Sequence, residues 1–340
     1  MSIVSKLINE SIEPPNLKLF GEITKNSYSS FDLDNTFSTF KTINDFLFLV
    51  YSTKSCSLIC YDLINFTKII EIKHSHKIHI TNIRHFLDTN NKRDLIISLS
   101  DRDNNLKLWN VNNWECIINI SHINNAGSLC SACILNENNN IYIITSNCNI
   151  IGASEKIKIF DLEGNIMKQI DNSNENIYFI DTLYNNKNNR IYLITGNMNY
   201  IKSYDYYKNK LYNKYFDNES GCHISIQTNE INNIFMLVES CSYGFIRIWN
   251  FHSAELLNKI KIDNDWIFGI CLWDKNYVFV ACKYKLIKLV NIEKGIIEKN
   301  LEGHNSGIFT IKKIEHPKLG KCLISQGYED DQIKLWTNIS

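Results

Sequence analysis

Two groups of side chains in this sequence have the composition of a nucleophilic centre. His76, Ser98 and Asp103 form one, and His304, Ser325 and Asp330 repeat it near the C-terminus. A hydroxyl activated by an imidazole, with a carboxylate orienting the ring, is the equipment of acyl transfer. In each group, however, the Asp stands six residues before a tryptophan, Trp109 or Trp336. A catalytic centre has no reason to recur at a fixed offset from an indole, whereas a buried indole N–H needs an acceptor. The groups are therefore read as structural, and no catalytic residue is assigned. The G-x-S-x-G, G-x-x-x-x-G-K-[ST], H-E-x-x-H and G-x-G-x-x-G patterns are all missing. Cys130 and Cys133 have C-x-x-C spacing, but residues three apart on a strand face opposite sides, and no second pair follows. No metal or cofactor is expected. The eleven cysteines are odd in number in a long chain, and most fall in strand-like runs (Cys60, Cys116, Cys130, Cys133, Cys241, Cys271, Cys282 and Cys322), so they read as reduced, buried small hydrophobes.

The elements that must hold these groups repeat along the chain. Seven segments share one pattern, in which an aliphatic run meets an aromatic or aliphatic marker and then Asp, Asn or Thr: SLICYD (57–62), LKLWN (106–110), IKIFD (157–161), IKSYD (201–205), IRIWN (246–250), IKLVN (287–291) and IKLWT (333–337). The markers Tyr61, Trp109, Phe160, Tyr204, Trp249, Val290 and Trp336 are separated by 48, 51, 44, 45, 41 and 46 residues. A unit of roughly 40 to 45 residues holding four strands is the blade of a β-propeller, which cannot bury its apolar faces alone. Alternating β-branched and aromatic runs bounded by Asn, Asp and Gly clusters fill the intervals with strands. The fold class is all-β, a seven-bladed β-propeller. After Trp336 too few residues remain for an outer strand, and the unassigned strand-like run 17–24 is expected to join the last blade, removing an exposed edge. The chain is read as a single domain, 1–340, with a short extension at 1–16, the closing strand at 17–24 and blades from about residue 35 onward.

In register and period these segments resemble the WD40-repeat family, although no unit has a literal Trp-Asp pair. The resemblance implies that His304, Ser325, Asp330 and Trp336, and likewise His76, Ser98, Asp103 and Trp109, are hydrogen-bonded tetrads tying the strands of a blade together. His122 would be a third entry histidine, with Ser154 at the Asp place. Blades one, four, five and six carry Ser55, Met198, Tyr243 and Tyr284 there, and are expected to rely more on packing than on this network. The resemblance also implies that partners dock on the narrower face. Carried over by position, that face offers Trp266, Phe268 and Lys283 in blade six, and Phe309 and Glu329 in blade seven. It further offers His79 and Arg102 in blade two and Tyr178 in blade four. Trp266, Phe268 and Phe309, flanked by Lys283 and Glu329, are expected to be exposed anchors of a protein partner.

Composition narrows the class further. Lys plus Arg equal Asp plus Glu at 36 each, which argues against general binding to nucleic acid or an anionic membrane. No apolar run reaches the roughly 18 to 20 residues of a membrane span, and the N-terminus lacks a signal peptide's apolar stretch. A cytoplasmic protein, or a nuclear one, is expected, with a monomeric propeller inside a larger complex. The expected function is a non-catalytic scaffold that binds a peptide or partner domain. The alternative is an enzyme or small-ligand binder using a central channel, for which the inner strands supply only His79, Asp181 and His223 as titratable exceptions.

Overall fold

The computed structural model describes residues 13–24, 37–53, 55–100, 104–121, 128–148, 156–171, 175–186, 188–219, 221–231, 234–327 and 332–338. They form seven four-stranded antiparallel sheets, the blades of a seven-bladed β-propeller. Blade one holds Phe37–Lys41, Leu47–Ser52, Leu58–Asp62 and Thr67–Ile72. Blade two holds Ile80–Asp88, Arg93–Ser100, Asn105–Asn110 and Glu115–Ser121. Blade three holds Ser128–Glu137, Asn140–Cys148, Ile157–Phe160 and Ile166–Ile170. Blade four holds Ile177–Asn185, Arg190–Asn197, Ile201–Asp205 and Lys210–Tyr215. Blade five holds His223–Ile231, Ile234–Cys241, Phe245–Asn250 and Leu256–Lys261. Blade six holds Ile267–Leu272, Tyr277–Cys282, Ile287–Asn291 and Ile296–Leu301. Blade seven holds Ile308–His316, Gly320–Gly327 and Gln332–Asn338, and takes its fourth strand from Leu17–Thr24.

That borrowed strand lies where the sequence places it. Leu17 pairs with Asn338 and Thr24 with Gln332 across one bulge. The Lys334 ammonium lies 2.7 Å from the Glu22 carboxylate, and Leu17 is buried in a cluster with Leu323 and Trp336. By their contacts the residues divide into two compact units, one of 1–25, 198–203 and 211–340, the other of 26–197 and 204–210. Each has its own core. The first packs Val238, Ile248, Ile270 and Val280 together, and the second packs Ile97 and Leu99 with Leu108, Leu129 and Ile143.

Burial explains the sequence pattern strand by strand. The second strand of a blade is covered on both faces, so LFLVYS in blade one and YVFVAC in blade six are apolar almost throughout and buried at every position. The outer strand is an edge, and TKIIEI in blade one has no buried residue. This corrects one expectation: Cys116, read as buried, is exposed, because Glu115–Ser121 is the outer strand of blade two. The asparagine clusters also have a use. Asn104, Asn138, Asn139, Asn189 and Asn209 adopt positive φ, a conformation that Asn tolerates better than most residues and that tight turns need. A bulge recurs near the start of the inner strand in blades two to seven, after Ile80, Leu129, Ile177, His223, Ile267 and Ile308, adding local twist.

Deleting residues 1–24 strips the strand from Gln332–Asn338, exposing an edge and uncovering the cluster around Trp336. The variant is expected to melt at least about 5 °C lower, or to aggregate. Scanning calorimetry with size-exclusion chromatography checks this; an unchanged melting temperature in a monodisperse monomer contradicts it.

Candidate protein-binding face

The polar groups inside the blades come first, because they decide which side chains are left for function. In blade two the His76 Nε2 and Ser98 Oγ are 2.7 Å apart, and the Trp109 indole N–H donates to the same Oγ at 2.8 Å. Blade seven repeats this with His304, Ser325 and Trp336, both separations being 2.7 Å. Asp103 and Asp330 lie outside the described residues, as do His122 and Ser154. Ser98 and Ser325 have no solvent exposure, so a substrate has no route to either hydroxyl. Burial, assisted by the nearby Lys107 charge, pushes the His76 pKa down to about 3 and keeps its ring neutral. Gly303, with φ +155°, lies so close to the Trp336 ring that a Cβ there would crowd the indole.

Blade five departs from the expectation that it relies more on packing than on a polar network. At the register of Ser98 and Ser325 it carries Glu239, which is wholly buried and accepts the Trp249 indole N–H at 3.0 Å. The second carboxylate oxygen bonds His223 Nδ1, and Arg247 Nη1 is 3.4 Å from the first. Arg247 also reaches the Asp217 carboxylate at 3.0 Å and the Glu219 carbonyl, while Lys259 bridges Asp217 (2.6 Å) and Glu219 (2.9 Å). Burial alone would raise the Glu239 pKa, but His223, Arg247 and the indole outweigh it and hold the carboxyl below its usual range. The histidine here comes from the inner strand rather than the entry loop, which is why the entry-loop pattern misses it. The sequence does carry a signal: a carboxylate within an otherwise apolar second strand, opposite an arginine two residues before a tryptophan marker.

In three blades the cation two residues before the marker, Arg247, Lys107 or Lys288, has a shared role. Lys107 donates to the Ser75 carbonyl at 2.5 Å, and Lys288 donates to the Ile262 carbonyl and the Asp263 carboxylate, both at 2.8 Å. Each ties the third strand to the loop that leads into the inner strand of the same blade.

The aromatic group lies on blades six and seven, within one unit. Trp266 and Phe268 are half-buried, with ring centroids 6.0 Å apart. Phe268 stacks flat on Phe309, at 4.5 Å and 6° between planes. Phe309 itself is 4% exposed, which corrects its reading as a surface anchor: it lies under Phe268 and braces that ring. Beside them Asp265, which no sequence pattern marks, organises the polar side. Its carboxylate accepts the Trp266 backbone N–H at 2.7 Å, the Lys283 ammonium at 3.0 Å and the Tyr284 hydroxyl at 2.8 Å. The backbone bond to Trp266, with Lys283 and Tyr284, holds its carboxyl below the usual range. Lys283 N–H in turn donates to the Trp266 carbonyl at 3.2 Å. Tyr243 and Tyr284, which the repeat pattern places at degenerate tetrad positions, are instead more than half exposed on the turns of blades five and six. In the other unit, His79 and Tyr178 are half-buried. Arg102 and Glu329 lie outside the described residues.

Inner-strand titratable groups are engaged with neighbours. Arg84 and Asp181 form an ion pair at 3.0 Å, and His85 bonds Asp94 at 2.7 Å while stacking on Phe40. Among the described residues no three His, Cys, Asp or Glu side chains converge as metal ligands, and no helix is long and apolar enough to cross a membrane. Cys133 is buried, and Cys130, in the bulge between Leu129 and Ser131, only partly so. No family model matches this chain, and no curated protein is significantly similar to it.

Two outcomes follow from the buried networks. Removing the Glu239 carboxylate leaves Arg247 and His223 without their shared acceptor, so Glu239→Ala should cost about 3–5 kcal/mol, against roughly 1–3 kcal/mol for Ser325→Ala. Urea unfolding measures both, and equal costs contradict the ranking. The second concerns pH. Because the folded-state pKa of His76 lies below its unfolded value of 6.5, the unfolded chain takes up the proton first, and stability falls as pH drops from 6.5 towards 3. A single such group gives a slope of up to about 1.4 kcal/mol per pH unit. His85, whose pKa burial also lowers despite Asp94, acts in the same direction. His76→Gln should remove its share of the slope between pH 6.5 and about 4.5; an unchanged slope means that His76 is not held neutral.

Proposed function

We propose that this chain is a WD40-type propeller acting as a non-catalytic interaction platform, binding a peptide or partner domain on the face that carries the loops entering the inner strands. The observation that carries this reading is the aromatic pair Trp266 and Phe268, partly exposed on a rigid base of buried Phe309 and ringed by Lys283, Asp265 and Tyr284. Aromatic side chains with an apolar body, a polar surround and little conformational freedom to lose are typical energetic centres of protein interfaces. The hydroxyls that resemble nucleophiles are sealed inside blades and already bonded, which favours binding over catalysis. A scaffold subunit of a larger assembly in the cytoplasm or nucleus fits this reading.

The test uses the full chain as bait. Trp266→Ala should weaken capture of its partner by at least about 2 kcal/mol, roughly thirtyfold, with the melting temperature unchanged. Met167→Ala, which alters an exposed residue on the outer strand of blade three, should leave capture intact. Full retention of the partner by a folded Trp266→Ala variant sinks the assignment of this face.

A further inference from the structure

The face described above continues onto blade five, where a groove of about 460 Å³ opens between Asn218, Glu219, Tyr243, Phe245 and Lys261. We propose that this groove receives an acidic side chain of a peptide partner, with Lys261 as its counter-charge. The proposal rests on reading this face as a docking surface, and names the chemistry of what docks there.

Continuity comes from the turn of blade five. Gly244 has φ +71° and lies against the backbone of Asp263 and Asp265, where a Cβ would overlap their carbonyl oxygens. The Ile262 and Asp263 N–H groups both donate to the Gly244 carbonyl, at 2.9 and 3.2 Å. Along the chain only residues 262–265 separate Lys261 from Trp266, and the same Asp265 that anchors Lys283 and Tyr284 ends that loop.

The charge assignment is a matter of which groups are already satisfied. Lys259 is shared by Asp217 and Glu219, Arg247 by Asp217 and Glu239, Lys288 faces Asp263, and Lys283 faces Asp265. Lys261 differs. It donates to the Tyr243 carbonyl at 2.8 Å and sits 4.3 Å from the centre of the Phe245 ring, but it meets no carboxylate among the described residues. One of its three N–H groups is used, and the others remain for a ligand in the groove. Tyr243 and Phe245 supply apolar walls for an aliphatic stem, and the exposed Asn218 amide is a second donor. Glu219, on the rim and paired with a Lys259 that Asp217 also claims, opposes a dianion. A single carboxylate on a peptide fits this balance better than a phosphate does.

The probe is a phage-displayed library of random twelve-residue peptides selected on the immobilised full chain. Selected peptides should be enriched in Asp or Glu. Synthetic capped versions should bind Lys261→Met about tenfold more weakly, Lys261→Arg nearly normally, and the peptide Glu→Gln change should cost the same factor without adding to Lys261→Met. Raising the salt concentration should weaken binding to the native chain more than to Lys261→Met. Trp266→Ala distinguishes the two readings. Peptides weakened by Trp266→Ala yet indifferent to Lys261→Met overturn the groove and leave the face standing, and peptides indifferent to both, or a library yielding none, overturn both. Displacement of the peptides by millimolar inorganic phosphate would make the groove a general anion site and overturn the carboxylate assignment.

Discussion

A strand buried on both faces gives a polar side chain no outlet except a partner on its own or the next sheet, and much of this molecule follows from that. The second strands are apolar almost throughout, and at Ser98, Ser325 and Glu239 an indole and an imidazole meet the buried oxygen. Ser98 and Ser325 satisfy this with a hydroxyl. Glu239 satisfies it with a carboxylate, drawing in His223 and Arg247. Leaving such a group unpaired costs more than forming the bond returns, so these positions fix the third strand against the second more firmly than apolar contact alone.

The same constraint decides what can be read in the sequence. A marker residue buried in blade after blade must recur in register, so the seven units, and the need for residues 17–24 to complete the last one, are legible from period and alternation. Exposure is not. Cys116 and Cys133 look alike in the sequence, yet one sits on an edge strand and the other is buried among the aliphatic side chains of a blade interior. Phe309 occupies the register expected of a surface residue and is still covered, because the ring of Phe268 stacks on it. Tyr243 and Tyr284 stand at positions where the repeat pattern expects an Asp, so the pattern presents them as missing tetrad members rather than as surface aromatics. Asp265 belongs to a loop, where no periodicity marks a residue as important, and only its three bonds show what it organises.

The recognition proposed for the blade-six loop draws on rigidity. Trp266 is fixed at its backbone by Asp265 and by the Lys283 amide, and Phe268 rests on a ring that cannot move without disturbing the core. Side chains ordered before contact lose less freedom on binding, so more of the buried area appears as affinity. Lys283 and Tyr284 are held by the same carboxylate, so the polar rim is set in advance as well.

Formal neutrality, 36 cations against 36 anions, conceals how the charge is distributed. In blades two and seven the buried acceptor is a hydroxyl, and the cation two residues before the marker serves the entry loop or the neighbouring strand. In blade five the acceptor is a carboxylate, and the corresponding Arg247 is drawn inward to Glu239 while still reaching Asp217. Asp217 and Glu219 then share Lys259, so the acids of that rim are occupied and Lys261 stands beside them without one. The buried Glu239 network thus reaches the rim: Arg247 joins it to Asp217, which shares Lys259 with Glu219. In blade five the buried network and the charges of the rim are in this sense one electrostatic system, linked through the loop that leads from blade four into blade five.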